Sequence, residues 1–234
     1  MKLFKVSESD HALNIQFFVP GAANALSLEA ARELKSLKKT VVKTKKPVLV
    51  SSAHPRLFCS GGNLSDYKKL KGKAPGLKVN REITAILNDF AAWPVPKLAL
   101  IDGDVLGGGM EWLARFDFRW STPNAFFAFW QRRIGLSTGW GGGKAWAAKL
   151  GEDQVRRLLL ESRALGAHES LRAGLVDRVL SPWRLQEEAE QWASRMGGET
   201  VRKLLRWNVA SETRIFSDLW LAPAHADTLK NWRS

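Results

Sequence analysis

The sequence predicts an α/β fold: a mostly parallel sheet with helices packed outside it, continuing into an α-helical C-terminal third. Three observations predict it. Short apolar runs, such as Pro47 to Ser51 and Lys97 to Ile101, alternate with segments whose apolar residues recur at helical spacing. Proline and glycine punctuate the passages between them, as at Pro94 and Pro96. Beyond Leu150 strand-like alternation gives way to helical periodicity.

Taken in order, Leu13, Ile15 and Phe17 alternate with Asn14 and Gln16, the period of a half-buried strand, and pair back on Leu3 to Val6 as a hairpin. Ser27 is placed to cap a helix carrying Leu28, Ala31, Leu34 and Leu37, and the strand from Pro47 completes one βαβ crossover. Val79, Ile83, Ile86, Leu87 and Phe90 mark one face of a second helix, which feeds the strand Lys97 to Ile101. Further helices are expected around Val155, Leu158 and Leu159, around Leu185, Ala189, Trp192 and Met196, and around Phe216, Leu219 and Trp220. The domain reading is a core over residues 1–180 and a helical region over 181–234.

Composition bounds the function classes. A chain of 234 residues with 45% hydrophobic content can bury one sizeable core. No run approaches the roughly 20 apolar residues that cross a bilayer, and Met1 to Val6 does not read as a signal peptide, so a soluble cytoplasmic protein without membrane insertion is expected. Cys59 is the single cysteine, which leaves no intrachain disulfide and no cysteine metal framework. The net charge of +13 suits a polyanionic partner, for which CoA, RNA and anionic membranes all qualify, or serves solubility alone. Much of it is local, in Lys35 to Lys46 and Lys68 to Lys78. Five of the eleven tryptophans, Trp112, Trp120, Trp130, Trp140 and Trp146, fall in one short region and fill a core or narrow a pocket.

Two glycine-bearing turns follow predicted strands, one at Phe58 to Leu64 and one at Gly103 to Glu111. Each can open a helix, where free N–H groups face whatever sits there and glycine permits close backbone approach. Neither matches a phosphate-binding loop or a strict dinucleotide fingerprint. Glu111 falls in the first turn of the second helix, where a carboxylate is either an acid/base or simply favourable to the helix dipole. The four histidines are scattered without metal-ligand spacing, and no metal or cofactor is expected.

Laid along the whole chain, these turns resemble those of the crotonase (enoyl-CoA hydratase/isomerase) superfamily. Phe58 to Leu64 is similar to its F-x-A-G-x-D-L turn, and Leu106 to Glu111 to its G-G-G-x-E corner. Asn24-Ala25-Leu26-Ser27 looks like the family's approach to its first helix, and Ala173 to Val179 resembles A-G-L-V-D-x-V. The resemblance implies a crotonase-like (ClpP/crotonase) fold of repeated ββα units, with two near-perpendicular sheets and a helical C-terminal trimerisation region. It implies an acyl-CoA substrate, with the backbone N–H groups of Ser60 and Gly108 binding the thioester oxygen and Glu111 as acid/base. It also implies CoA contacts from His54, Arg56, Phe58, Ser60, Gly62, Asn63 and Leu64. A homotrimer or hexamer is expected, assembled through Phe216, Leu219, Trp220, Leu229 and Trp232.

One departure is chemical. Family hydratases carry a second glutamate twenty residues after the first, and here that place holds Gln131, with Trp130 where a proline is usual. Glutamine cannot exchange protons at neutral pH, so two-glutamate hydration is not expected. Asp117-Phe118-Arg119, Thr122-Pro123 and Trp140-Gly141-Gly142 look most like the ethylmalonyl-CoA decarboxylase branch. The readings are therefore a one-glutamate lyase or isomerase, a malonyl-type acyl-CoA decarboxylase, or a non-catalytic CoA- or RNA-binding protein on the same scaffold. Asn63 is expected to cap its helix, His54 to be an exposed loop residue near the CoA phosphates, and Cys59 to pack.

Overall fold

The computed structural model describes residues 2–231. Its strands are β1 (Phe4–Glu8), β2 (Leu13–Phe17), β3 (Val48–Ser52), β4 (Leu57–Cys59), β5 (Lys97–Ile101), β6 (Asp104–Leu106), β7 (Phe118–Ser121), β8 (Phe126–Ala128), β9 (Leu165–Gly166) and β10 (Arg178–Val179). They form two sheets, one in the order β1-β2-β3-β5-β7-β10 and one in the order β4-β6-β8-β9. Only β1 with β2 and β8 with β9 pair antiparallel; the other pairings are parallel.

The helices are α1 (Leu28–Ser36), α2 (Lys38–Thr44), α3 (Leu64–Lys68), α4 (Lys73–Ala91), α5 (Gly108–Leu113), α6 (Gly142–Leu150), α7 (Glu152–Glu161), α8 (Ala167–Arg172), α9 (Pro182–Arg195), α10 (Glu199–Leu204), α11 (Glu212–Leu219) and α12 (Pro223–Asn231). A 3₁₀ turn spans Trp130–Ile134. The expected caps are present. Ser27 Oγ accepts from the Ala30 N–H at 3.1 Å, and Asn63 Oδ1 accepts from the Ser65 N–H at 3.0 Å.

The alternation in β2 places Leu13, Ile15 and Phe17 in the core, whereas β5 is buried along its whole length because both faces of the sheet are covered. On one face, Ile83, Ile86, Leu87 and Phe90 of α4 join a cluster centred on Trp112. That indole is fully buried and lies 5.4 Å from Phe17, 5.7 Å from Phe58 and 5.6 Å from Phe116, centroid to centroid. On the other face, Leu185, Ala189 and Trp192 of α9 pack on Leu49, Leu98, Leu100 and Trp120. So α9 is physically part of the sheet's packing.

Of the expected CoA contacts, Phe58 has its side chain buried within the aromatic cluster, which leaves only its backbone to face a ligand. A register shift between Leu57 and Cys59 accompanies this inward turn. Trp112, Trp120, Trp140 and Trp146 are buried as core-filling rings, while Trp130 is half-buried.

Charged groups hold the sheet's far side. Lys97 is buried and pairs with Asp117 at 2.7 Å, and Arg119 pairs with Asp177 at 2.7 Å, tying β7 to the segment that leads into β10. Each cation has a carboxylate partner, as burial of a charge requires.

Candidate active site

The two glycine turns meet backbone to backbone. Gly61 has φ +101°, and a Cβ on it would lie 2.8 Å from the Gly108 nitrogen and 3.0 Å from the Leu106 oxygen. A Cβ on Gly109 would lie 2.4 Å from the Cys59 oxygen. Only glycine allows this approach. The first turn is further fixed by Leu26, whose N–H donates to the Gly61 oxygen at 2.7 Å. Buried Asn24 donates to the Phe58 oxygen at 2.7 Å and accepts from the Val19 N–H at 2.8 Å. Among the described residues, the N–H groups of Ser60 and Gly108 have no acceptor.

Glu111 is buried on α5, one turn beyond the second glycine corner. Its Oε1 accepts from the Gly139 N–H at 3.0 Å, and its Oε2 accepts from the N–H groups of Trp140 at 2.7 Å and Gly142 at 2.9 Å. The last of these opens α6, so the carboxylate sits at that helix's N-terminus as well as in the first turn of its own. A Cβ on Gly142 would lie 2.4 Å from Glu111 Cα, which shows how tightly loop and helix are fitted.

Gln131 stands beside it, buried, with Nε2 donating to Glu111 Oε1 at 3.4 Å. Its Oε1 is buried and has no donor among the described residues. The twenty-residue spacing therefore does bring the two side chains together.

Three neighbours escaped sequence reasoning. Arg115, four residues after Glu111 and so on the same face of the chain's helical turn, donates from Nη2 to the Trp140 oxygen at 2.9 Å and steadies the loop that holds the carboxylate. Burial lowers its pKa below the ordinary guanidinium value, and the Glu111 charge opposes that shift. Tyr67 and Asn80 form a pair with Trp140. The Tyr67 hydroxyl donates to Asn80 Oδ1 at 2.7 Å and the Trp140 indole N–H donates to the same oxygen at 2.9 Å. Burial pushes the Tyr67 hydroxyl above its ordinary value, the Trp140 indole pulls it part of the way back, and the Glu111 charge adds to the rise. Tyr67 is the single tyrosine of the chain, a signal available in the composition.

Of the remaining expected contacts, Arg56 and Leu64 are exposed, Gly62 lies against Tyr67 and Trp140, and Asn63 caps α3. His54 departs from expectation. It is half-buried, and its Nδ1 accepts from the N–H groups of Arg56 at 3.2 Å and Leu57 at 3.1 Å, so it shapes the approach to β4 and is not a free loop side chain. Lys68, Lys69, Lys71, Lys73 and Lys78 are exposed beside this turn. An apolar cavity of about 190 Å³, lined by Leu26, Tyr67, Leu70, Val79 and Ile83, lies under α3. Burial pushes the Cys59 thiol up to about 12, leaving a packed, unreactive thiol at neutral pH.

Comparison with known proteins fits this geometry. Over 74% of its length the chain is 28% identical to ethylmalonyl-CoA decarboxylase of Rattus norvegicus, covering 63% of that protein. It is 31% identical over 65% of its length to mitochondrial methylglutaconyl-CoA hydratase of Homo sapiens, covering 43% of that protein. The chain thus matches less than two thirds of either relative. The crystal structure of an enoyl-CoA hydratase from Bacillus anthracis superposes with a TM-score of 0.89 at 21% identity, over 98% of this chain and 95% of that one, which establishes the crotonase fold. A sequence model of the enoyl-CoA hydratase/isomerase family matches residues 8–213, and the chain belongs to that family.

Proposed function

We propose that this chain binds an acyl-CoA thioester and stabilises its enolate, acting as a lyase or isomerase with a single acid/base glutamate. The observation that carries the reading is the pair of interlocked turns, which leave the Ser60 and Gly108 N–H groups unpaired in one corner. Preorganised donors at a thioester oxygen stabilise the charge that develops there, and losing one such donor costs about 2.7–4 kcal/mol in a well-studied hydrolase. Glu111, held in place by three backbone donors, then takes or returns a proton at the carbon beside the thioester. The exposed lysines and Arg56 near the first turn suit the phosphates of CoA.

Gln131 favours a more specific version. With no second carboxylate to activate water, hydration lacks one of its two proton handlers. Decarboxylation of a malonyl-type acyl-CoA asks for less: the bond between the α-carbon and the carboxylate breaks, the electron pair of that bond enters the enolate, CO₂ leaves, and Glu111, having taken up a proton from solvent, gives it to the α-carbon. The likeness to a rat ethylmalonyl-CoA decarboxylase supports this version.

Calorimetry with acetyl-CoA tests the binding step, with micromolar affinity expected. Turnover assays with crotonyl-CoA and ethylmalonyl-CoA test the chemistry. Crotonyl-CoA hydration well below the roughly 10 s⁻¹ of an ordinary enzyme is expected. No heat at millimolar ligand would remove the enzyme reading, and RNA binding that free CoA does not compete would move the chain to a non-catalytic role.

A further inference from the structure

Between the two glycine turns lies an indole. A Cβ on Gly108 would fall 2.6 Å from Cζ3 and 2.8 Å from Cη2 of Trp140, and a Cβ on Gly62 would fall 3.2 Å from its Cζ2. One face of this corner is therefore filled by a side chain that arrives from the loop before α6, and the ring is 3% exposed. Packing alone does not hold it there. Its N–H shares Asn80 Oδ1 with the Tyr67 hydroxyl, so two donors from separate segments converge on the carbonyl oxygen of a third. Asn80 and Tyr67 are only half-buried, which places this fastening at the rim of the corner and not in the core.

An acyl group whose oxygen is held by the Gly108 N–H has to be placed in a corner where the Cα side of Gly108 is already covered. The cover is the six-membered ring of Trp140, and behind Gly62 stands Tyr67, with Cε2 at 3.0 Å from the same hypothetical Cβ. A short acyl group fits beside such a ring, whereas a longer one meets it unless the ring leaves its place. Leaving breaks one hydrogen bond to Asn80 while keeping the backbone bond from the Trp140 N–H to Glu111. The side chain can thus yield without dismantling the carboxylate's seat.

We infer that Trp140 sets the size of the acyl group this chain accepts, with Asn80 and Tyr67 as the latch that keeps its indole across the corner. The inference rests on the acyl-CoA reading above and deepens it to a substrate class: thioesters of short acyl groups. Discrimination by a filled pocket is worth about tenfold or more per methylene that does not fit.

The test is calorimetric titration of wild type, Trp140→Ala, Trp140→Phe and Asn80→Ala with CoA, acetyl-CoA, butyryl-CoA and octanoyl-CoA. Wild type should bind octanoyl-CoA at least about tenfold more weakly than acetyl-CoA. Trp140→Ala should abolish or reverse that ratio while free CoA changes by less than about twofold, because the basic side chains suited to its phosphates are exposed and the Trp140 ring is buried. Asn80→Ala, which keeps the indole but removes its acceptor, should shift the ratio in the same direction by less. Trp140→Phe should do likewise, and these two variants carry the test if Trp140→Ala fails to fold. Octanoyl-CoA bound as tightly as acetyl-CoA by wild type, or an unchanged chain-length ratio in the variants, overturns the inference while leaving CoA binding intact. Absence of any CoA binding in all four proteins overturns the acyl-CoA reading and this inference with it.

Discussion

Trp140 and Trp220 are the same residue in opposite circumstances. Trp140 is almost wholly buried, with its ring on glycine backbone, its indole N–H on Asn80 and its main-chain N–H on Glu111. Trp220 is 56% exposed, and its aromatic neighbours among the described residues are Phe216 at 5.5 Å and His225 at 4.8 Å. The Trp140 side chain finds its packing and its hydrogen bond within the chain, whereas the large apolar side chains of the helices after Gly197 are left largely uncovered among the described residues. Phe216, Trp220, Leu221 and Leu229 stay exposed there. The difference separates residues that build the site from residues left for a contact beyond the single chain, since large exposed apolar patches mark interaction surfaces.

The largest expected effect lies at the site. Glu111→Gln should lower acyl-CoA turnover by about 10²–10⁴-fold, the usual worth of a positioned acid/base. It should also loosen residues 139–142, because one carboxylate oxygen becomes an NH₂ facing backbone N–H donors, a mismatch that costs about 1–3 kcal/mol. CoA affinity should hold, which calorimetry checks. Unchanged turnover with a lowered melting temperature would return Glu111 to a purely structural role at the start of α6.

Next in size is a contrast in stability. Trp112→Ala removes the ring at the centre of the aromatic cluster and should cost about 3–5 kcal/mol in urea unfolding. Trp220→Ala, measured on dilute protein, should stay within about 0.5 kcal/mol, as surface changes do. Equal losses would erase the distinction between the two regions.

The sequence already carried the strand and helix order, because periods of two and 3.6 are local and β2 and α4 display them plainly. It carried the two turns, since glycine is demanded where backbones touch, and it carried Gln131 beside Glu111 through spacing along a shared motif. It did not carry the orientation of Phe58, which a register shift in a three-residue strand turns into the core. Nor did it carry the meeting of Tyr67, Asn80 and Trp140, separated by 13 and 60 residues and joined only through tertiary packing. His54 differs in that its partners are local, the N–H groups two and three residues on. Whether its ring faces solvent or folds back on two N–H groups depends on a turn whose geometry no local pattern announces.

The smallest effect on the chain itself should come from the C-terminal aromatics, and it sharpens the comparison most. Phe216 is 61% exposed and its ring lies tilted against Trp220, and the two border an apolar hollow with Leu219, Ala222 and His225. Trp232, expected to join this stripe, lies outside the described residues. Burying such surface in a single chain would require helices that are already committed elsewhere, whereas a neighbouring copy can cover it with a different face, a heterologous contact that closes into a ring without altering the fold. On this argument wild type is expected to assemble as a trimer or hexamer, and light scattering should then give three or six times the 26.1 kDa of one chain. Replacing both Phe216 and Trp220 by serine should leave unfolding of the separated chain nearly unchanged and move the mass toward 26.1 kDa. A wild-type mass of one chain, or a double variant that still assembles, would mean that these aromatics serve something other than self-association. Trp220 would then have to be explained as Trp140 is, by what it covers within its own chain.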